Sequence, residues 1–78
     1  MYLGIDVHKH DAQVAVRNEA GDVVEEVRVR NANLNEIAQR YAGSKAAIEA
    51  TSNYYHIYDT LSVYMDVTVA HPGKYSKR

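Results

Sequence analysis

The spacing of apolar residues changes from one segment of the chain to the next, between patterns typical of strands and of helices. The order of these segments is the feature that most restricts the fold. Residues 2–8 form a short, mostly apolar run, which is typical of a strand in the middle of a sheet. Residues 12–17 and 23–30 instead alternate apolar and polar side chains, which indicates strands with one buried face. Between these two segments, Gly21 can adopt the positive φ that a tight turn needs. This part of the chain therefore predicts three consecutive strands.

The spacing then changes to that of a helix. Asn33 followed by Glu36 is typical of a capping box, and Gly43 suits the residue just after a helix. Both signals bound the same segment, which predicts a helix that ends before Gly43. Its apolar residues recur at intervals of three and four, at Leu34, Ile37, Ala38 and Tyr41.

Two more strands and one more helix are predicted in the second half of the chain. Residues 45–50 contain Ala and Glu, which also favour helix. Their place after Gly43 and before a helix start at Thr51 or Ser52 favours a strand. Residues 66–70 are predicted to form the last strand. The intervening helix has an apolar stripe at Tyr54, Ile57, Tyr58 and Leu61.

The resulting element order is β-β-β-α-β-α-β. Hairpin-length connections make the first three strands antiparallel neighbours, whereas the strands that follow helices run parallel to the first by right-handed crossovers. A mixed five-stranded sheet in the order 3-2-1-4-5 satisfies both conditions. This is the ribonuclease-H-like arrangement. The predicted fold class is therefore α/β, with residues 1–73 as one core and residues 74–78 as a basic tail.

Asp6 and Glu49 are the candidate site residues. Each follows an isoleucine, Ile5 or Ile48, so each carboxylate is expected to point away from the core. In the predicted sheet the first and fourth strands are parallel neighbours, about 4.8 Å apart. The two acids would then meet at the carboxyl ends of central strands, where open α/β sheets bind ligands.

Two close carboxylates repel each other unless a proton or a cation lies between them. Mg²⁺, or Mn²⁺ in its place, suits such oxygen ligands. In nucleic-acid enzymes, paired metal ions hold the attacking and leaving oxygens of a phosphodiester. We therefore predict that Asp6 bridges the ions and that Glu49 binds one of them. The alternative is that each acid is merely exposed at the end of a strand.

Composition excludes several classes of protein. The chain has no cysteine, so a disulfide framework, a thiolate metal site and a thiol nucleophile are impossible. No apolar run approaches the roughly 20 residues that cross a bilayer. The first residues also lack the basic and apolar regions of a signal peptide. We therefore predict a cytoplasmic protein with no membrane partner.

Charge is divided unevenly along the chain. Residues 1–73 hold six basic and ten acidic side chains, a net charge of −4, whereas residues 74–78 contribute +3. A basic tail attracts phosphate, although a solvated terminus is the simpler interpretation. A lysine in the turn after the first acid could also contact phosphate. The candidate nucleic-acid-binding residues are Lys9, Lys74, Lys77 and Arg78.

Three motifs occur in a familiar order. They are Gly4-Ile5-Asp6-Val7-His8-Lys9, then Ile48-Glu49-Ala50-Thr51 followed by Tyr54 and Leu61, and then Pro72 with Lys74. In order and spacing they resemble the DEDD transposase family, which includes insertion-sequence transposases and Piv-type DNA invertases. The resemblance covers essentially the whole chain. Each motif is weak alone, and the ordered set is more specific.

The resemblance implies a RuvC-like domain in which an Asp, Glu, Asp, Asp set binds divalent metal. Family members act in DNA transposition and recombination, with a serine in a later domain and, in some, a guide RNA. Asp6 and Glu49 match the first two acids, whereas Asp59 and Asp66 do not match the later ones. Ser52 stands where the family usually has Gly. We therefore expect an amino-terminal fragment, without the carboxy-terminal part of the domain, that binds Mg²⁺ weakly and does not cleave DNA efficiently by itself.

Two other functions stay open. An actin-like ATPase shares this element order, but its phosphate-binding turn needs small residues, and residues 7–10 (Val-His-Lys-His) are bulky. A non-catalytic module that self-associates is the second, because the third and fifth strands would be exposed edges. Such edges predict a homo-oligomer.

His8 shares the strand parity of Asp6, so its imidazole is within reach of the same region, although the segment also suits a polar turn.

Overall fold

The computed structural model describes residues 1–49 and 55–70. Each predicted strand and helix is present, with bounds close to those expected from the sequence. The elements are β1 (Tyr2–Val7), β2 (Asp11–Arg17), β3 (Val23–Arg30), a 3₁₀ turn (Asn31–Asn33), α1 (Leu34–Arg40), β4 (Lys45–Glu49), α2 (Tyr55–Ser62) and β5 (Asp66–Ala70). Ala50 and the predicted helix start at Thr51 or Ser52 lie outside the described residues.

The five strands form one mixed sheet in the order β3-β2-β1-β4-β5, as predicted. β1 pairs antiparallel with β2 and parallel with β4, while β3 and β5 complete the two sides. Hairpins join the antiparallel strands, and the helices provide the crossovers between the parallel ones. The edges are thus the two strands expected, and the self-association inferred from them stays a prediction.

Both helices cover the same face of this sheet. Strand residues of one parity are buried with the inward residues of α1 and α2 in a single hydrophobic core. The buried residues are Leu3, Ile5, Ala12, Val14, Val16, Leu34, Ile37, Ala38, Ala46, Ile48, Ile57, Leu61 and Met65. Tyr58 was expected on the inward stripe of α2 but is 37% exposed, so this helix buries a narrower stripe. The opposite side of the sheet, formed by strand residues of the other parity, is called the open face below.

The predicted start of α1 is partly wrong. Asn33 is its N-cap residue, but its side chain makes no capping hydrogen bond. The preceding 3₁₀ turn holds Asn33 at φ −105° and ψ 6°, away from the extended backbone that capping side chains require. Gly43 has φ 87°, but it lies beyond the residue that directly follows the cap. Its N–H donates to the Tyr64 carbonyl at 2.8 Å, which joins the end of α1 to the segment before β5.

The turn between β2 and β3 agrees with its prediction. Gly21 has φ 90° and donates its N–H to the Asn18 carbonyl at 3.0 Å. The Asn18 side chain accepts from the N–H groups of Ala20 and Asp22. This Asn and Gly together therefore close the hairpin.

Among the described residues, no helix is both long enough and apolar enough to span a bilayer.

Candidate metal site

Asp6 and Glu49 are direct partners across the β1–β4 pair. In the parallel register, Asp6 stands beside Glu49, and Ile5 stands beside Ile48. Both isoleucines are buried in the core, whereas both acids are exposed. The acids therefore share the open face on strands about 4.8 Å apart, at the carboxyl ends of β1 and β4. This is the position that the sequence predicted, and their role as metal ligands stays a prediction.

Small residues keep the open face flat beside the acids. Gly4 pairs with Ala47 on one side and with Ala15 on the other. A Cβ atom built on Gly4 would meet no other atom within 4 Å. The Asp6 side chain is 55% exposed. A hydrated cation can therefore approach this carboxylate from the open face.

His8 contacts the first acid. Its Nε2 atom lies 3.4 Å from Oδ2 of Asp6, and both side chains are more than half exposed. An exposed pair of this kind contributes little to stability because water screens it. The contact still has a consequence for metal binding, since the imidazole occupies one of the approaches to Oδ2 of Asp6 and leaves the other acceptor sites of this carboxylate open. The sequence placed His8 on this side of the strand, and the structure agrees.

At the carboxyl ends of β1 and β4, the described residues offer two candidate metal ligands, the carboxylates of Asp6 and Glu49. Across residues 1–49 and 55–70, no group of three or more His, Cys, Asp or Glu residues could hold a metal. Mg²⁺ prefers octahedral oxygen coordination and is commonly bound by one or two carboxylates together with waters and substrate phosphates. Asp6 and Glu49 fit that pattern in number, chemistry and access.

Asn31 supports the turn that follows Asp6, and sequence reasoning did not identify it. Its Nδ2 donates to the carbonyls of His8 at 2.9 Å and Lys9 at 3.3 Å. Its backbone N–H donates to the His10 carbonyl at 3.0 Å. Three consecutive carbonyls of the turn thus converge on one residue. Among the described residues, Asn31 Oδ1 is buried and finds no hydrogen-bond partner.

A row of side chains continues from the acids across the sheet. Asp6 pairs with Gln13 on β2, and Gln13 pairs with Arg28 on β3. On the other side, Glu49 pairs with Ala70 on β5. The row therefore crosses all five strands on the open face. Sequence reasoning missed Gln13 and Arg28, because only the register of the strands places them in line with the acids.

Of the four predicted nucleic-acid-binding residues, one lies in the described part of the chain. Lys9 lies in the exposed turn between β1 and β2, next to the acid pair. Lys74, Lys77 and Arg78 lie outside the described residues.

A separate polar cluster joins β3 to the end of α1. Arg40 donates to Glu25 at 3.1 Å, and the Tyr41 hydroxyl donates to the same carboxylate. The hydrogen bond to Glu25 raises the pKa of Tyr41 above its ordinary value, and burial and the Glu25 charge act in the same direction. Glu25 pairs in register with the buried Val16, so the cluster lies on the helix-covered side of the sheet. Its role is to anchor α1, away from the candidate metal site.

Comparisons with known proteins do not identify a family for this chain. The chain matches no protein-family model. A search of curated proteins likewise found no match.

Proposed function

We propose that this chain forms the first part of the catalytic core of a DEDD-type transposase or recombinase, which acts on DNA phosphodiesters with divalent metal. Asp6 and Glu49 would be the first two acids of its metal site, and the sheet would be of the ribonuclease-H-like type. The observation that carries the proposal is the register pairing of these two acids on the open face. The order of the three sequence motifs adds independent support.

The local structure explains why this pair suits a metal. Ile5 and Ile48 are anchored in the core directly before the acids, so the backbone at each acid is fixed. Both carboxylates then extend from a rigid sheet rather than from a loop, which favours a defined separation. Their access to solvent leaves room for waters and for a substrate phosphate in the same coordination sphere.

In this proposal each acid has its own task. A divalent ion at this site would polarise a phosphodiester oxygen and activate an attacking water or hydroxyl. Asp6, in the middle strand, would be the ligand shared by paired ions, and Glu49 would be a ligand to one of them. A guide RNA or a later serine domain would belong to the assembled transposase.

Two acids are half of the set that the proposed family uses. We therefore expect residues 1–78 alone to bind Mg²⁺ or Mn²⁺ weakly and not to cleave DNA efficiently. Robust metal-dependent nicking by this chain, abolished by Asp6→Ala, would contradict that expectation.

Paramagnetic line broadening by Mn²⁺ tests the acid pair directly. In an ¹⁵N-labelled sample, Mn²⁺ is expected to broaden first the amide signals around Asp6 and Glu49, and excess Mg²⁺ should restore them. Asp6→Asn should remove the effect and Glu49→Gln should weaken it, because each variant loses a charged oxygen ligand. Asp66→Asn is the matched control, since Asp66 is exposed on the same face at the opposite end of β5.

The outcome can contradict the proposal in a clear way. Equal broadening in wild type and Asp6→Asn would show that Mn²⁺ binds elsewhere. Broadening that Asp66→Asn removes as fully as Asp6→Asn would indicate diffuse attraction to acids rather than a site.

A further inference from the structure

We infer that Arg28, with Gln13 beside it, binds the phosphodiester backbone of a nucleic-acid strand that crosses the open face through the acid pair. The inference deepens the proposed function and rests on it. It adds a contact that neither the sequence motifs nor the acids themselves indicate.

The register of the sheet carries the argument. Arg28, Gln13 and Asp6 are successive partners on β3, β2 and β1. The backbones of β3 and β1 are two strand spacings apart, or roughly 10 Å. One strand of B-form DNA advances about 3.4 Å per nucleotide, so this distance spans about three nucleotides. A strand whose reacting phosphate lies at Asp6 and Glu49 would therefore pass Arg28 within a few nucleotides.

Arg28 is available for such a contact. Its side chain is 66% exposed, and within the described part of the chain it forms an ion pair with Oδ2 of Asp11 at 3.8 Å. Its Nε atom lies 3.5 Å from Oε1 of Gln13, which is at the long limit for a hydrogen bond. These exposed contacts orient the guanidinium on the open face but hold it weakly. A phosphate could engage it with two parallel hydrogen bonds, the geometry for which Arg is best suited.

The charge around the acid pair favours a polyanion once metal is bound. Among the described residues, the charged side chains around this end of the face are Lys9, Arg28, Arg30, Asp6, Asp11, Glu26 and Glu49. With the histidines neutral, three positive charges stand against four negative ones, a net charge of −1. One divalent ion then makes this end of the face positive. Attraction of a nucleic-acid strand should therefore depend on metal, whereas Arg28 should contribute a contact of its own.

Arg17 provides a matched control. It is exposed on the same face, but it pairs with Tyr2 at the far end of β1, away from the acids. Like Arg28, it donates one side-chain hydrogen bond within residues 1–49 and 55–70, in this case to the Gly21 carbonyl at 2.9 Å. Arg17→Gln removes the same charge from the same sheet face and leaves the row of Arg28, Gln13 and Asp6 intact.

The test measures binding of a fluorescent single-stranded DNA of about 16 nucleotides, the upper end of a typical single-strand site. Fluorescence anisotropy in Mg²⁺, repeated over a series of NaCl concentrations, gives both Kd and its salt dependence. Arg28→Gln is expected to raise Kd about threefold to tenfold. It should also lower the slope of log K against log salt by about 0.7, because one phosphate contact is lost. Arg28→Lys should retain that slope, and Arg17→Gln should behave as wild type.

Failure of the inference is distinguishable from failure of the proposed function. If Arg28→Gln matches Arg17→Gln in Kd and slope while Mn²⁺ still broadens the signals near Asp6, the phosphate contact is wrong and the metal site stands. If wild type binds no DNA in Mg²⁺, the inference is also overturned. If Mn²⁺ broadening near Asp6 is absent, the proposed function itself fails.

Discussion

Replacing Asn31 by Ala tests whether this residue fixes the turn next to the acid pair. Asn31→Ala removes the side-chain hydrogen bonds to the carbonyls of His8 and Lys9, at 2.9 and 3.3 Å. The backbone N–H of residue 31 still donates to the His10 carbonyl. The substitution therefore removes two of the three hydrogen bonds that Asn31 donates to the turn after β1.

The expected magnitude follows from those contacts. A hydrogen bond contributes about 0.5–1.5 kcal/mol net, and the longer of the two should lie at the low end, so the pair contributes about 1–2 kcal/mol. Asn31 Oδ1 is buried without a partner among the described residues, which destabilises the folded state. Removing this atom therefore offsets part of the stability lost with the two hydrogen bonds. The turn is exposed, so water can reach the two carbonyls in the variant. We expect a net loss of about 1 kcal/mol, which for a domain of this size lowers Tm by about 4–8 °C.

Urea unfolding followed by circular dichroism measures this difference, and Asn33→Ala is the matched control. Asn33 is exposed and makes no capping hydrogen bond, so its replacement should change the free energy of unfolding by less than about 0.5 kcal/mol. Amide hydrogen exchange adds a local measurement. The His8 N–H, which donates to the Asp11 carbonyl at 2.8 Å, should exchange faster in Asn31→Ala alone. Equal stabilities for the two variants, with unchanged exchange at His8, would refute the assigned role of Asn31.

Two further predictions concern other parts of the molecule. Because the folded state raises the pKa of Tyr41 above 10.0, this group favours folding below that pH, and its contribution is lost as pH rises through the elevated value. Urea unfolding from neutral to alkaline pH should therefore show a smaller alkaline loss of stability in Tyr41→Phe, and an equal loss in both proteins would contradict the pKa argument. Gly21→Ala should lower the free energy of unfolding by about 1 kcal/mol, because φ is 90° at this position. Gly4 lies in a strand with open space around it, so Gly4→Ala should leave the free energy of unfolding unchanged or raise it by up to about 1 kcal/mol. Thermal unfolding of the two alanine variants measures the contrast, and equal effects would show that backbone conformation is not the cause.

Much of the fold could be predicted because local spacing determines which residues can share a buried face. Alternation over residues 12–17 predicted Ala12, Val14 and Val16 on one side of a strand, and all three are buried. Short connections between the first three strands then restricted the sheet order. Details that depend on neighbouring elements were predicted less well. Asn33 lacks its capping bond because a 3₁₀ turn precedes it, and Tyr58 is exposed because α2 buries only a narrow stripe.

The sequence by itself determined that Asp6 and Glu49 extend from neighbouring strands on the side away from the core, because a buried isoleucine before each acid fixes its direction. The tertiary structure alone decided the neighbours of that pair. Arg28 joins the row through the register of two antiparallel pairs, and Asn31 meets the turn after β1 from more than twenty residues away. Spacing along the chain specifies the face of a strand, whereas register depends on long-range packing and pairing that no local pattern encodes.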